Sequence, residues 1–487
     1  MSTEIELKLR LDPKCMRKLA AHPLLAGLTS RKQRLLNTYH DTANLTLREN
    51  RIAMRFRKKG PEWLLTVKTA EPGSGGLAVR SEWETAAQPG VFDFSHVDAP
   101  KLRSQLDQLK DQLEPVFATD FKRQLWHVPF GDSLIELAID HGHISAGGRR
   151  EVICEIELEL LSGSIADIFG LARALQKHHI LHPAIASKAE RGYRLFRNEP
   201  STPFKAKPVA ISETQSPVDA FRSIALGCLE HFQRNETGLL AGGEPEFIHQ
   251  ARVALRRLRS AIKLFAPVLP EDFVAVYSQS WKTLAGALGE ARNWDVFLEE
   301  TLPPLLAAFP NNAEILQLRN EAHRRVKNAR RAITRLLGVK EYPRLIVEFT
   351  SAVYALSDSQ PIKLTDFAAE RIAAHTRSAK KMAQRYAELS PGERHAMRLR
   401  FKKLRYAMEF VMPLLPVRRM KPYLNTLSKL QESLGSINDL VTAGFLINDI
   451  QSNKSTSTTH GWIAGREALL VEQLPRTLEA WLAQAKT

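Results

Sequence analysis

The chain has 487 residues, of which 44% are hydrophobic and 25% are charged, and its formal net charge is +16. This composition excludes a disordered or fibrous chain, and the length predicts two or three domains. The positive charge favours a polyanionic partner: nucleic acid, an acidic membrane surface or a phosphate polymer. Residues 1–200 hold 29 Lys+Arg and 25 Asp+Glu, and the other 287 residues hold 40 and 28, so the polyanion site is expected mainly in the second part.

The three cysteines stand far apart, at positions 15, 154 and 228, with no CxxC pair. This usage favours a reduced, cytoplasmic setting. The first residues, MSTEIELKLR, lack the apolar core of a signal peptide, and no uncharged apolar run reaches eighteen residues. We therefore expect no membrane span.

Up to about residue 160, apolar and polar residues alternate with period two, which predicts β-strands. The predicted strands are Glu4–Leu11, Arg51–Arg57, Trp63–Lys68, Arg80–Glu84, Thr119–Val128, Leu134–Asp140 and Val152–Leu160. Two helices are predicted between or after them, at Pro13–Ala21 and Ala166–His178. A Pro- and Ser-containing stretch then predicts a domain boundary, with a first domain at 1–200, a linker at 201–215 and a second domain at 216–487.

The second domain has the 3.6-residue period of long helices and contains an internal repeat. His249, Arg252, Arg256 and Arg259 recur as His395, Arg398, Lys402 and Arg405, 146 residues later. Leu288-Gly289 recurs at the same offset as Leu434-Gly435. Two segments with one offset predict a duplicated helical unit.

The polar side of each predicted strand carries ionisable groups. Glu4, Glu6 and Lys8 share one face of the first strand, and Glu155, Glu157 and Glu159 share one face of the last. An ordinary solvated face would carry mixed polar residues, whereas consecutive same-side carboxylates repel one another unless a cation separates them. Mg²⁺ or Mn²⁺ suits carboxylate oxygens, and the cationic strands suit a multiply charged phosphate. Closing the sheet into a barrel would place both sets in one lumen.

GluIleGluLeuLys at 4–8 resembles the ExExK signature of the CYTH family, the triphosphate tunnel metalloenzymes. It is followed in order by TyrHisAspThr (39–42), ArgPheArg (55–57), ValLys (67–68), ArgSerGluTrpGlu (80–84), Arg123, GluLeuAlaIleAspHisGly (136–142), GluIleGluLeuGlu (155–159) and SerLysAlaGluArgGlyTyr (187–193). The resemblance implies an eight-stranded antiparallel barrel that binds triphosphate in its tunnel. The implied metal ligands are Glu4, Glu6, Asp140, Glu155 and Glu157, with Glu159 as an alternative on the same face. The implied phosphate contacts are Lys8, Arg55, Arg57, Lys68, Arg80, Arg123 and Lys188, and the catalytic signature is Glu4, Glu6 and Lys8.

Each repeat of the second domain places its four residues on one helical face, giving two basic stripes with almost no acid. Like charges at this spacing destabilise a helix unless an anion screens them. The stripes resemble the CHAD family, named for conserved histidines in an α-helical domain. The resemblance implies two pseudo-symmetric four-helix bundles whose basic residues bind polyphosphate. His249 and His395 are then expected to donate to an anion or make a local bond, and metal ligation is the weaker alternative.

The combined prediction is a multidomain α+β protein, a metal-dependent hydrolase that cleaves inorganic triphosphate to pyrophosphate and phosphate, joined to a polyphosphate-binding domain. Association with polyphosphate granules would follow from that binding. Adenylyl cyclase or thiamine triphosphatase activity on the same barrel stays open, as does non-catalytic polyphosphate binding. Nucleic acid ranks last among the partners, because the stripes lack interleaved aromatic residues. The sequence names no protein partner, oligomeric state or preferred chain length, nor which carboxylate acts as the base.

Overall fold

The computed structural model describes residues 2–69, 74–358, 361–451 and 457–485. The chain divides into two compact units. Unit 1 comprises Met1–Thr202 and Gly338–Ala355, and unit 2 comprises Pro203–Leu337 and Leu356–Thr487. None of the described helices combines the length and apolar character that a membrane-spanning helix requires.

Unit 1 is built on a closed antiparallel β-barrel, as predicted. Its strands are β1 (Ser2–Arg10), β2 (Ser30–Asp41), β3 (Ile52–Lys59), β4 (Glu62–Thr69), β5 (Leu77–Ala86), β6 (Glu114–Phe130), β7 (Ser133–Ala146) and β8 (Arg149–Ser162), with a short β9 (His182–Pro183) beside β1. The order is β5-β4-β3-β2-β6-β7-β8-β1, and β1 also pairs with β5. Glu4 lies opposite Arg80 of β5, and Lys8 lies opposite Glu157 of β8, so β1 closes the eight-stranded ring.

Strand β2 is the element that the strand predictions missed. Its first half reads SerArgLysGlnArg, which is polar on both faces, and its residues 30–32 are exposed. Period-two alternation needs one apolar face, so the signal is absent there. The strand is nevertheless long, because β6 pairs with it from Ser30 to Asp41.

Five helices from the first 200 residues pack against the barrel and bury much of the outer face of its strands. They are α1 (Met16–Ala20), α2 (Thr46–Glu49), α3 (Pro100–Leu109), α4 (Ile165–Gln176) and α5 (Lys188–Arg197). The apolar side chains of β1, such as Leu7 and Leu9, face outward and share a core with Phe169 of α4. The polar side chains of the strands therefore face the lumen.

Unit 2 is made of long helices, as the 3.6-residue period predicts. The remaining helices of the chain are α6 (Pro217–Leu240), α7 (Pro245–Phe265), α8 (Glu271–Val296), α9 (Leu302–Ala308), α10 (Ala313–Gly338), α11 (Glu341–Ala355), α12 (Leu364–Ala383), α13 (Pro391–Val411), α14 (Val417–Gln451) and α15 (Ser457–Gln484). α13 begins 146 residues after α7, and α14 begins 146 residues after α8. The sequence repeat is therefore also a repeat of helices, with four long helices in each copy.

Helix α11 lies between the two helical repeats in sequence but packs in unit 1. Val347 is fully buried in the core that contains Leu7 and Phe169. The ring of Tyr354 lies 6.1 Å from that of Phe169, and Arg173 of α4 donates to the Ser351 hydroxyl at 3.0 Å. The barrel unit therefore takes one helix from a distant part of the chain.

Candidate functional site

The alternating polar residues of β1 are buried in the barrel lumen. Glu4, Glu6 and Lys8 are each at most 8% exposed. Lys68 Nζ lies 2.7 Å from Glu4 Oε2, and because β5 lies between β4 and β1 in the sheet, this pair reaches across one strand on the inner face of the barrel. Such burial excludes a solvated sheet face for these residues.

The two glutamates of β1 differ in their electrostatic surroundings. Burial raises the pKa of Glu4, and the attraction of Lys68 only partly offsets this effect. Burial would also raise the pKa of Glu6, but Lys8 and Arg80 outweigh it and hold the pKa below its ordinary value. Arg80 Nη1 lies 3.0 Å from Glu6 Oε1, and Lys8 Nζ lies 3.4 Å from the same oxygen. Glu6 is therefore the more firmly ionised of the two.

Asp140, Glu155 and Glu157 form a carboxylate triad on the adjacent strands β7 and β8. Asp140 lies directly opposite Glu155, and one oxygen of each of the three carboxylates falls within 4.8 Å of the others. Across the described ranges, three potential metal-ligating side chains come this close only here. Hard carboxylate oxygens are the ligands that Mg²⁺ and Mn²⁺ prefer, so these residues fit the implied metal. Glu4, Glu6 and Glu159 lie outside this triad.

Lys188 contacts all three members of the carboxylate triad. It is the first residue of α5, whose N-terminus is capped by the Ser187 side chain. Its Nζ lies 2.7 Å from Asp140, 2.5 Å from Glu155 and 2.9 Å from Glu157. Burial would lower the pKa of Lys188, but the three carboxylates raise it well above its ordinary value. The ammonium group therefore stays charged at the point where the carboxylates converge.

The other predicted phosphate contacts lie in the same lumen and pair with carboxylates. They are Arg55, Arg57, Lys68, Arg80 and Arg123. Arg123 is bidentate to Asp140, with both N···O distances at 2.7 Å, and also bonds Glu157. Burial, with repulsion from Arg55, lowers the pKa of Arg57 to about 10. A triphosphate entering the lumen would meet cations that already face inward.

Sequence reasoning assigned no site role to four further residues that contact the predicted site residues: Asn37, Tyr39, Glu82 and Arg191. Lys68 also bonds Glu82 at 3.0 Å, and Arg57 donates to the Asn37 side chain at 3.0 Å. Arg55 donates to the Tyr39 hydroxyl at 3.1 Å, and Arg191 of α5 contacts Glu155 at 3.0 Å. Asn37 and Tyr39 lie on the missed strand β2. Glu82 carried a usable signal, because it alternates with Arg80 on one strand face.

Glu159 lies apart from the cationic side of the lumen. It faces Glu6 and Glu136 on the two neighbouring strands. Burial, together with the negative charge of Glu4, raises the pKa of Glu159 to about 7. Burial and the neighbouring carboxylates therefore outweigh the attraction of Lys68 at Glu159.

In unit 2, the repeated residues form paired basic stripes, defined as Arg252, Arg256 and Arg259 of α7 with Arg398, Lys402 and Arg405 of α13. Burial, with repulsion from Arg398, Arg256 and Arg252, lowers the pKa of Lys402 to about 7. Burial and the charges of Arg256 and Arg398 also lower the pKa of Arg252 to about 10. The two repeats thus bring their cations together within one unit.

Most of the paired basic stripes lack a carboxylate partner. Arg405 bonds Glu409 at 3.0 Å, and Arg256 donates to the Tyr406 hydroxyl at 2.5 Å. Arg252, Arg398 and Lys402 form no ion pair within 4.0 Å with any residue of the described ranges. The charge of Asp439 acts on all three, but it does not offset the effects that lower their pKa values.

The two repeated histidines differ in their surroundings. His395 Nδ1 lies 3.1 Å from the Asn438 side-chain oxygen, which is a local structural bond. Burial, with repulsion from Arg292, lowers the pKa of His249, so this ring is neutral near pH 7. Neither histidine belongs to a three-residue metal cluster among the described residues.

Two family models match the chain. Residues 2–193 match the CYTH domain, and residues 223–448 match the CHAD domain. An inorganic triphosphatase of Haemophilus influenzae is 35% identical over 208 residues, which cover 40% of this chain and 55% of that protein. The match thus spans about half the length of that relative.

A solved CHAD domain from the plant Ricinus communis resembles the second part of the chain. It is 30% identical, with a TM-score of 0.50, and the alignment covers 59% of this chain and 97% of that structure. The lumen site and the paired basic stripes therefore fall in two separately matched domains.

Proposed function

Because the chain carries a CYTH domain at residues 2–193 followed by a CHAD domain at residues 223–448, we propose that it is a metal-dependent inorganic triphosphatase with a polyphosphate-binding helical domain. The reaction is hydrolysis of triphosphate to pyrophosphate and phosphate. We further propose a tunnel domain at 1–200, a linker at 201–215 and a helical domain at 216–487. A cytoplasmic location would suit the three cysteines, which are free.

The observation that carries this proposal is the carboxylate triad surrounded by inward-facing cations in a closed barrel. Carboxylates alone would suit any cation, and arginines alone would suit any anion. Both sets together suit a metal–phosphate complex, whose charges are opposite on neighbouring atoms. The 35% identity to an inorganic triphosphatase supports inorganic triphosphate as the substrate.

In the proposed mechanism, residues of the lumen bind and orient triphosphate. Lys8, Arg55, Arg57, Lys68, Arg80, Arg123 and Lys188 would exchange carboxylate partners for phosphate oxygens. A divalent ion held by Asp140, Glu155 and Glu157, with Glu4 and Glu6 as further candidate ligands, would supply Lewis-acid stabilisation of phosphoryl charge.

The hydrolytic step breaks one P–O–P bond. The oxygen of a water molecule bonds to the terminal phosphorus, and the bridging oxygen leaves with the pyrophosphate. A lumen carboxylate accepts the proton of that water, and the surrounding cations stabilise the charge that develops on the phosphoryl oxygens.

For the helical domain, the paired basic stripes support binding of polyphosphate. Cations without carboxylate partners gain more from an added anion than cations that are already neutralised. Guanidinium groups also match phosphate geometry through bidentate hydrogen bonds. The ring of Tyr406 lies beside Arg256 and Arg405 but is only 2% exposed, so it offers no free face for stacking bases, which favours a phosphate polymer over single-stranded nucleic acid.

The proposed activity is tested by phosphate release from the full chain with Mg²⁺ or Mn²⁺. Triphosphate, long-chain polyphosphate, ATP and thiamine triphosphate are compared as substrates. We expect triphosphate to give the highest kcat/KM, and Glu6→Gln to lower it at least a hundredfold. Glu62→Gln, at an exposed position of β4, is the matched control and should retain activity. Preferred turnover of ATP or thiamine triphosphate, or equal activity of wild type and Glu6→Gln, would refute the proposal.

Polyphosphate binding is tested separately by titrating long-chain polyphosphate into wild type and an Arg252→Ala/Lys402→Ala variant. Affinity should fall at least tenfold in the variant and decrease with salt in both proteins. DNA at matched salt is the competitor. Stronger competition by DNA than by polyphosphate would contradict the proposed partner.

A further inference from the structure

Asp41, the last residue of β2, is fully buried and saturated with hydrogen bonds although it lies outside the lumen site. Its Oδ1 accepts from the backbone N–H groups of Thr42 at 2.7 Å and Leu47 at 2.8 Å. Its Oδ2 accepts from the Arg48 N–H at 2.9 Å and from the Tyr193 hydroxyl at 2.9 Å. Three of the four donors are local backbone groups, and the fourth comes from α5.

Tyr193 connects this carboxylate to the helix that carries Lys188. It is 3% exposed, and burial together with Asp41 raises its pKa, so its hydroxyl stays a hydrogen-bond donor. The Tyr193 ring packs edge-on against Phe117 of β6 at 5.0 Å. Position 192 is glycine because a Cβ there would lie 2.1 Å from the same phenyl ring. The middle of α5 is therefore held tightly against the barrel wall.

The C-terminal end of α5 is fixed by further polar contacts. Arg149 donates to the carbonyl oxygens of Leu195 at 3.0 Å and Phe196 at 2.9 Å. Arg48, next to the Asp41 cluster, makes a bidentate bond to Glu199 at 3.0 and 2.7 Å. Nearer the N-terminal end of the helix, Arg191 bonds Glu151 at 2.7 Å and Glu155 at 3.0 Å, and Lys188 makes its ion pairs in the lumen.

We propose that Asp41 is a positioning residue, which holds α5 through the Tyr193 hydroxyl so that Lys188 reaches the carboxylate triad. The inference deepens the proposed function, on which its catalytic meaning rests. When α5 is fixed, the ammonium group of Lys188 is held at a constant position in the lumen. A released helix would let Lys188 withdraw, and both the triad and an incoming phosphate would lose that charge.

The first test follows Lys188 without any ligand. Trace labelling with acetic anhydride, read by peptide mass spectrometry, reports the exposure of each amine. Tyr193→Phe removes one hydroxyl and keeps the ring. We expect the reactivity of Lys188 to rise about fivefold or more, from the loss of one hydrogen bond to a charged group, while Lys68 stays unchanged as the internal reference. Asp41→Asn should act in the same direction.

Tyr386→Phe, which removes the hydroxyl of a buried phenol of unit 2 that is 9% exposed, is the matched control and should leave Lys188 unchanged. Unaltered Lys188 reactivity in a folded Tyr193→Phe protein would overturn the proposal. The reactivity of Lys188 is measured without turnover, so this experiment tests the positioning role even if the protein does not hydrolyse triphosphate.

The second test separates positioning from general destabilisation. Triphosphate affinity is measured by calorimetry without metal, for Tyr193→Phe alone and in a Lys188→Met background. If Tyr193 acts through Lys188, the loss should be about tenfold in the first case and under twofold in the second. Equal losses in both backgrounds would show a merely structural role and sink the inference. Absence of any triphosphate binding in wild type would count against the proposed function alone.

Discussion

Glu157→Gln is the substitution that most directly probes the lumen charges. Glu157 faces Lys188 at 2.9 Å and Lys8 at 3.4 Å, and it also bonds Arg123. These three cations outweigh burial and hold its pKa well below the ordinary value, so the group is ionised at neutral pH. The amide keeps the shape of the side chain but removes one negative charge from among three positive ones.

The size of the effect follows from those distances. Two charges 3.4 Å apart attract by about 5 kcal/mol at an effective dielectric of 20, which is an upper bound for the Lys8 pair. Breaking a buried ion pair costs roughly 3–5 kcal/mol in measured cases. We expect Glu157→Gln to lower the free energy of unfolding by about 3 kcal/mol and metal-dependent phosphate release at least a hundredfold.

Binding of triphosphate without metal should change in the opposite direction. Removing the carboxylate takes one of the carboxylate partners from each of three cations, which then bind phosphate oxygens more strongly, so affinity in EDTA should rise about tenfold. Calorimetry measures this affinity, phosphate release measures activity, and thermal unfolding checks the fold. Full activity of the variant would refute the assignment of Glu157 as a metal ligand. Weaker metal-free binding of triphosphate in a folded variant would refute its competition with triphosphate for the three cations.

Three further predictions concern the stripes and the packing. The pKa of Lys402 is lowered to about 7, so the side chain is mostly charged below pH 7 and mostly neutral above it. Titrations should therefore show polyphosphate affinity falling as the pH rises from 6 to 8. Lys402→Arg, whose guanidinium stays charged over this range, should remove the dependence on pH. Gly192→Ala should lower the free energy of unfolding by about 1–3 kcal/mol, because the new Cβ would clash with Phe117, and should therefore lower the melting temperature. Gly465→Ala in α15, with open space around it, should raise or preserve the melting temperature. Val347→Asp should destabilise the protein by about 4 kcal/mol or more in denaturant unfolding, whereas Val339→Asp, 44% exposed, should change little.

The barrel was predictable from sequence because its strands alternate apolar and charged residues with little interruption. The lumen-facing residues Glu4, Glu6, Lys8, Glu155 and Glu157 could be assigned to one face before any coordinates, since a strand has period two. The ion pairs between strands could not be predicted, because they depend on register and on barrel closure. The pairing of Lys68 with Glu4 joins strands that are 64 residues apart in sequence.

The roles of β2 and α11 were beyond sequence reasoning for different reasons. β2 begins with polar residues on both faces, so no periodicity marks it, although Asn37 and Tyr39 contribute to the lumen. α11 has an ordinary helical pattern, and nothing in that pattern indicates which unit covers its apolar face. The helical repeat, in contrast, was visible because both copies keep the same residue types at the same spacing.

Helix α11 also has a consequence for synthesis of the chain. The ribosome completes the eight strands by residue 162, but the helix that covers Leu7 and Phe169 is made only after Gly338. At typical elongation rates of about 5–20 residues per second, the interval after residue 202 lasts on the order of ten seconds. During this time the nascent barrel exposes an apolar surface beside the strand that carries Glu4, Glu6 and Lys8. A stop codon placed before α11 would therefore leave unit 1 incomplete as well as the helical repeats.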